Sequence, residues 1–175
     1  MRYTGFIVLF VFTALIFGSC RKIQQLPAEP EIEFISFTVL DSTDILGNDC
    51  KAGKLKFYFQ DGDGDLGIEV AESGEADTTN MFLTLFRKTA GVMVQVPEDD
   101  PLKPSSYRIP YMERTGQNKI LKGHIVVTLL YLFYEPADTD TLRYDFKIKD
   151  RADHYSNEES TCEIPLSVNG VYVKQ

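Results

Sequence analysis

From residue 32 onward the chain alternates apolar and polar residues with a period of two. The clearest case is 142–148, where Leu142, Tyr144, Phe146 and Ile148 alternate with charged residues. This alternation is typical of strands that bury one face and expose the other. Further short segments rich in β-branched and aromatic residues predict more strands, at 32–39, 54–60, 82–86, 92–96, 120–134, 162–168 and 171–173.

Turn residues separate these segments. The dipeptides Ala90-Gly91 and Asn169-Gly170 are candidates for tight turns, with 171–173 pairing with or extending the strand before it. No segment of twelve or more residues shows helical periodicity. We therefore expect an all-β fold over residues 32–175, an antiparallel β-sandwich with immunoglobulin-like topology.

Residues 1–19 have the pattern of a secretory signal rather than of a strand. Arg2 precedes a run of 13 residues, 5–17, with a single polar member, GFIVLFVFTALIF. A bilayer span needs about 20 apolar residues, so this run suits the core of a signal peptide better. An uncleaved N-terminal anchor helix is the alternative. In both cases the folded part lies outside the cytoplasm.

The end of the apolar run resembles the lipobox of bacterial lipoproteins. Gly18-Ser19-Cys20 follows Phe17, which stands where the pattern usually has Leu. The resemblance implies cleavage before Cys20, acylation of Cys20 and attachment to the membrane through that lipid. Arg21 after the cysteine, with no acid in 21–25, implies an outer-membrane lipoprotein on the periplasmic face rather than the cell surface. Residues 20–31 are then a lipidated, extended tether.

Composition disfavours nucleic-acid-binding proteins and excludes wholly disordered ones. The chain carries 18 basic and 26 acidic residues, a formal net charge of -8, which disfavours binding to nucleic-acid phosphates. Its 43% hydrophobic content is enough for a buried core and excludes wholesale disorder.

Two cysteines remain once Cys20 is assigned to the lipid. Cys50 and Cys162 are predicted to face a compartment that permits disulfides. We expect them to pair across a separation of 112 positions, which stabilises the fold by about 4–5 kcal/mol in the chain-entropy model. Two free thiols are the alternative.

The segment with the most distinctive chemistry is the acidic loop, residues 61–67, Asp-Gly-Asp-Gly-Asp-Leu-Gly. Three carboxylates at alternate positions repel one another unless a cation offsets the charge. Calcium takes six to eight oxygen ligands, and flexible glycines let several oxygens converge. The candidate ligands are Asp61, Asp63 and Asp65, with Glu69 or Glu72.

The acidic loop matches an EF-hand only in part. The three aspartates fit its first, third and fifth positions and Glu72 its twelfth, but Leu66 stands where glycine is required. A strand rather than a helix precedes the loop, which excludes an EF-hand. The alternative to a calcium loop is a solvated turn whose aspartates accept hydrogen bonds from neighbouring amides.

Evidence for enzymatic chemistry is weak. His124 and His154 are isolated, and the sequence has neither a Gly-x-Ser-x-Gly elbow nor a phosphate-binding glycine loop. A hydrolase using the loop carboxylates is one alternative. A glycan-binding accessory protein of polysaccharide uptake is another, with sugar stacking on Tyr107, Tyr111, Tyr131, Tyr134 and Tyr155.

Three segments resemble a family of small Bacteroidota-type lipoproteins: 57–67, then 109–111 with 118–125, and 148–161. In that family the third usually reads Asp-Arg-Ala-Gly-Asn-x-Ser-Asn, whereas Asp153-His154 replace Gly-Asn here. The resemblance implies an immunoglobulin-like sandwich and points to no known enzymatic activity, since the family has no assigned function. We therefore expect a lipid-anchored, non-enzymatic binding or structural module of the cell envelope, with a protein or glycan partner and possible stabilisation by calcium.

Overall fold

Nine β-strands form the regular structure of the described part of this chain. The computed structural model describes residues 26–69, 79–104, 106–113, 119–132 and 141–174, and these contain no helix. The strands are β1 (Glu31–Thr43), β2 (Asp49–Asp61), β3 (Met81–Thr89), β4 (Val92–Gln95), β5 (Leu121–Tyr131), β6 (Thr141–Ile148), β7 (Glu159–Ser160), β8 (Ile164–Pro165) and β9 (Gly170–Tyr172).

The strands form two antiparallel sheets that pack against each other. Sheet 1 has the order β5-β2-β1-β9, and sheet 2 has the order β4-β3-β6-β7, with β8 also pairing to β6. The predicted antiparallel β-sandwich is therefore confirmed. Immunoglobulin-like topology remains a prediction.

The core lies between the sheets and consists of the inward-facing residues of each strand. Phe57 of β2 packs on Phe146 of β6 with ring centroids 5.3 Å apart, and Phe37 of β1 stacks on Tyr144 at 5.7 Å. All four side chains are buried. The period-two pattern thus produces this interior directly, since alternate residues of a strand point to opposite faces.

The hairpin predicted at Ala90-Gly91 is confirmed. It joins β3 to β4, and both turn residues have positive φ, 51° and 85°. Two-residue hairpin turns of this kind match the right-handed twist of the flanking strands.

The C-terminal strand prediction was wrong. Residues 162–168 do not form one strand; the two-residue β7 and β8 flank Cys162 instead. Thr161 explains part of the interruption, because its hydroxyl accepts the backbone N–H of Tyr144, and Pro165 has no N–H to donate. After Asn169, β9 crosses to sheet 1 and pairs with β1, so no hairpin joins it to β8.

The predicted disulfide is not formed, because Cys50 and Cys162 are both free. Alternation along β2 places Cys50 on the face opposite Leu55 and Phe57, whereas Cys162 packs against the core. Burial raises the pKa of the Cys162 thiol.

Several predictions concern parts of the chain that the structure does not describe. The signal peptide 1–19, the lipidation site Cys20 and the candidate ligand Glu72 lie outside the described residues. Among the described residues, no helix has the length and apolar character needed to cross a membrane.

Candidate metal centre

The acidic loop begins inside the sandwich. Asp61 is the last residue of β2, and the alternation that buries Phe57 and Phe59 also buries its side chain, which is 0% exposed. Its Oδ1 accepts the Gly64 N–H at 3.3 Å and its Oδ2 accepts the Leu66 N–H at 2.8 Å. These two bonds fold the loop back around the Asp61 carboxylate.

The fold brings the three loop aspartates together. One carboxylate oxygen from each of Asp61, Asp63 and Asp65 lies within 4.8 Å of the others. Oδ1 of Asp65 is buried and has no hydrogen-bond partner among the described residues. A buried carboxylate oxygen without a donor is costly, and a cation is one way to satisfy it. This group could therefore hold a metal ion. Glu69 is exposed and lies outside the group.

Burial and crowding raise the pKa of the loop carboxyls. Burial raises the pKa of Asp61 to about 6, against the lowering effect of its hydrogen bonds from Leu66 and Gly64. Burial and then the nearby charges of Asp150 and Asp63 raise the pKa of Asp65. Both shifts reflect chiefly the burial of the carboxylates and, after that, the negative charges beside them.

The segment after the loop is held by a distant part of the chain. Ile68 N–H donates to Ile109 O at 3.0 Å, and Tyr111 N–H donates to Ile68 O at 3.1 Å. Gly67 has φ +93°, and a Cβ placed there would lie 2.4 Å from Pro110 O. Gly67 is therefore required both by its backbone conformation and by this close approach.

We expect Gly67→Ala to destabilise the protein by roughly 2–4 kcal/mol, because it combines left-handed strain with a backbone clash. Gly91→Ala is the matched control: φ is +85° there, but nothing lies within 4 Å of the added Cβ. Urea unfolding of both variants measures the difference. Equal losses at the two positions would show that the contact with Pro110 contributes nothing.

The side chain of Arg151 also holds the acidic loop in place. Its Nη1 donates to Gly67 O at 2.7 Å and to Leu66 O at 3.5 Å, and its guanidinium stacks over the Tyr111 ring at 4.9 Å. The sequence pattern did not assign this role to Arg151. No periodicity or spacing could have revealed it, since the two segments are 84 positions apart.

The turn that presents Arg151 is built around a buried carboxylate. Asp150, 1% exposed, accepts the His154 N–H at 2.8 Å, and its Oδ2 lies 3.0 Å from His154 Nδ1. This contact raises the pKa of His154. Asp153 takes φ +68°, the left-handed conformation that glycine adopts most easily. Asp is among the few residues that tolerate it, so the tight turn is kept.

The rest of the same segment fastens the sheets to each other. Asn157 accepts the Ile32 N–H through Oδ1 at 2.8 Å and donates to Ile32 O through Nδ2 at 2.9 Å. Ser156 Oγ accepts the Ile148 N–H at 3.0 Å. Segments 109–111 and 150–151 therefore both meet the acidic loop, and the polar residues of 150–157 have structural roles.

The end of the predicted tether also contacts the loop. Gly62 N–H donates to Pro27 O at 3.1 Å, and Pro30 is buried. A Cβ at Gly62 would lie 2.1 Å from Pro27 O. Within the predicted tether 20–31, Pro27 therefore contacts the acidic loop and β1 already begins at Glu31, whereas residues 20–25 lie outside the described residues.

The tyrosines proposed to bind sugar do not form one surface. Tyr131 is buried, and its hydroxyl lies 2.8 Å from that of Tyr144 in the core. Tyr155 is exposed, but Lys147 and Lys149 lie over its ring. Tyr134 lies outside the described residues.

Two clefts of about 420 and 620 Å³ have no residue of the acidic loop in their lining. One is apolar and runs between 107–112 and β5, and the other lies between 160–163 and 171–174. Neither is lined by a loop aspartate. The geometry that a carboxylate hydrolase would need is therefore not found in these clefts.

Comparison with known proteins identifies no relative. No family model matches the chain, and no curated protein or solved structure matches it.

Proposed function

We propose that this protein is a non-enzymatic binding or structural module of the cell envelope, and that calcium stabilises its acidic loop. The observation that carries the calcium assignment is the convergence of three carboxylates within 4.8 Å, with one buried oxygen of Asp65 lacking a hydrogen-bond donor.

Calcium fits this donor set better than the other common metals. All three ligands are carboxylates, which hard cations prefer, whereas zinc and copper favour nitrogen and sulfur ligands. Asp61 and Asp65 form no ion pair with a described residue, and only the charge of Arg151 partly offsets that of Asp65. Three carboxylates supply between three and six of the six to eight oxygens that calcium takes.

Titration calorimetry tests the metal site. Calcium is expected to bind the wild-type chain in a one-to-one ratio, and Asp63→Asn/Asp65→Asn should weaken binding by at least about a hundredfold, because two of three charged ligands become neutral. Asp99→Asn, an exposed acid in another turn, is the control. If wild type and the double variant gave the same weak heat of binding, the loop would not be a calcium site but a solvated turn.

The proposed role requires no catalytic step. Each oxygen of Asp61 accepts one backbone N–H and keeps a lone pair for a cation, so this carboxylate supports the loop and is poorly placed to attack a substrate. Arg151 donates to backbone carbonyls, and Asp150 accepts the His154 N–H. Both contacts are structural, since they hold loops in place. A calcium ion would then hold the loop rigid beside the segment 109–111.

The proposal includes a lipid anchor at Cys20 in the outer membrane, with the module on the periplasmic side. It is supported by the apolar leader, by the Gly18-Ser19-Cys20 sequence and by the acidic, sandwich-forming body that follows. Labelling of the full chain with palmitate should give a signal that Cys20→Ser abolishes.

A further inference from the structure

The outer face of sheet 1 contributes neither to the core nor to the acidic loop. Alternation along β2 and β5 turns Phe57 and Leu129 inward, and it turns Lys54, Lys56 and Lys122 outward. These three lysines form no ion pair with any residue that the structure describes. We call this surface the lysine face.

The positive charge of the lysine face is not neutralised by its immediate neighbours. The cross-strand neighbours of Lys54 are two threonines, and those of Lys56 are a serine and a valine. The face has two acids, Glu31 and Glu33, which lie together at the start of β1, and Glu31 is hydrogen-bonded to Gln60. In a chain of net charge -8, a surface with three unpaired lysines is a local exception.

Aliphatic side chains are exposed on the same face. Val126 is 54% exposed, Leu130 is 49% exposed and Val171 is 66% exposed, and all three point outward from sheet 1. Cations beside exposed aliphatic groups on an open sheet are suited to a lipid surface, where anionic headgroups lie above acyl chains.

The number of residues between Cys20 and the described part of the chain limits the distance between sheet 1 and a lipid on Cys20. Leu26 is six positions after Cys20, and Pro27 is bonded to Gly62 at the end of β2 in sheet 1. Six residues span at most about 20 Å. This step rests on the proposed anchor: a lipid on Cys20 would hold sheet 1 close to the bilayer.

We propose that the lysine face lies against the membrane and binds its anionic lipid headgroups. The chain as a whole carries a net charge of -8, so outside the lysine face acids outnumber bases and repel such a membrane on balance, and charge favours this orientation. Each lysine near the surface strengthens the attraction about fivefold, and salt screens it within a Debye length.

Sedimentation with vesicles tests the lysine face without the anchor. Chain 21–175 keeps every described residue, and EDTA removes calcium bridging. We expect it to bind vesicles of equal parts phosphatidylglycerol and phosphatidylcholine, but not phosphatidylcholine alone, and added salt should release it. Lys54→Gln/Lys56→Gln/Lys122→Gln should weaken binding at least about tenfold.

The matched control removes the same charge from lysines that are already paired. Lys88, Lys103 and Lys174 contact Glu163, Glu98 and Glu159 respectively, so Lys88→Gln/Lys103→Gln/Lys174→Gln should change vesicle binding less than about twofold. Circular dichroism and melting curves establish that both triple variants are folded.

The proposal is overturned if wild type does not bind the anionic vesicles, or if the two triple variants lose binding equally. It is also overturned if the lysines are needed to bind dextran sulfate but the chain does not bind vesicles. That last outcome would assign the face to an acidic polysaccharide. Palmitate labelling separates the two proposals. Its absence together with lysine-dependent vesicle binding would remove the anchor and leave the lysine face.

Discussion

Calcium should raise the melting temperature of the metal-free protein by roughly 5 to 10 °C when it is present at a hundred times its dissociation constant. Binding to the folded state alone contributes about 2.7 kcal/mol under that condition, and each kcal/mol moves the midpoint of a domain of this size by about 2–4 °C. Differential scanning calorimetry of EDTA-treated protein, with and without added calcium, measures the shift.

The variant Asp63→Asn/Asp65→Asn provides the contrast for this shift. Without calcium it should melt no lower than wild type, because repulsion among the three carboxylates is relieved. With calcium it should show no shift, since two charged ligands are gone. A calcium response of wild-type size in this variant would place the binding site elsewhere in the chain.

Acid should weaken the calcium response, because the Asp61 carboxyl has a pKa raised to about 6. A raised carboxyl pKa means that the folded state prefers the protonated form, so metal-free stability falls as the pH rises from about 4 through about 6. Contact with Asp150 raises the pKa of His154, whose contribution is also lost as the pH rises. Calcium needs the ionised loop, so its effect should be largest above about pH 7 and small near pH 5.

Phe57→Ala should cost about 3–5 kcal/mol in the free energy of unfolding. Phe57 is 0% exposed, comes from the middle of β2, and packs on Phe146 across the two sheets. Removing a buried aromatic ring loses its transfer free energy and leaves a cavity that the surrounding strands fill only in part. Urea unfolding in EDTA measures this loss independently of calcium.

Lys54→Ala is the control on the same strand. Its side chain is exposed on the opposite face of β2, so the expected change lies within about 0.5 kcal/mol. If both variants lost the same small amount, the assignment of Phe57 to the interior would be wrong. Unchanged denaturant dependence in both variants would show that the unfolded states are comparable.

The fold class follows from the sequence because it depends on local pattern. Side chains alternate between the two faces of a strand, so the alternation at 142–148 is enough to identify β6 and its buried residues. The hairpin at Ala90-Gly91 is local in the same way. The three loop aspartates are also close in sequence, and glycines between them let their oxygens converge.

Contacts between distant segments could not be predicted in this way. Cys50 and Cys162 are the same residue type in a compartment that is expected to permit pairing, yet strand alternation turns Cys50 away from the core against which Cys162 packs. Segment 162–168 has a strand-like composition, but the Thr161 hydroxyl accepts the Tyr144 N–H, and pairing with β6 is limited to Ile164 and Pro165. The composition of a segment does not determine which strand it will pair with in the sheet.

The sequence alone determined that this chain forms strands, where most of them lie, and that three carboxylates are concentrated after β2, because each of these depends on residues a few positions apart. Only the tertiary structure decided how the acidic loop is held. Pro110 packs against Gly67, and Arg151 bonds the loop carbonyls from 84 positions away. Such contacts depend on how the two sheets pack, and no local pattern in the chain records that packing.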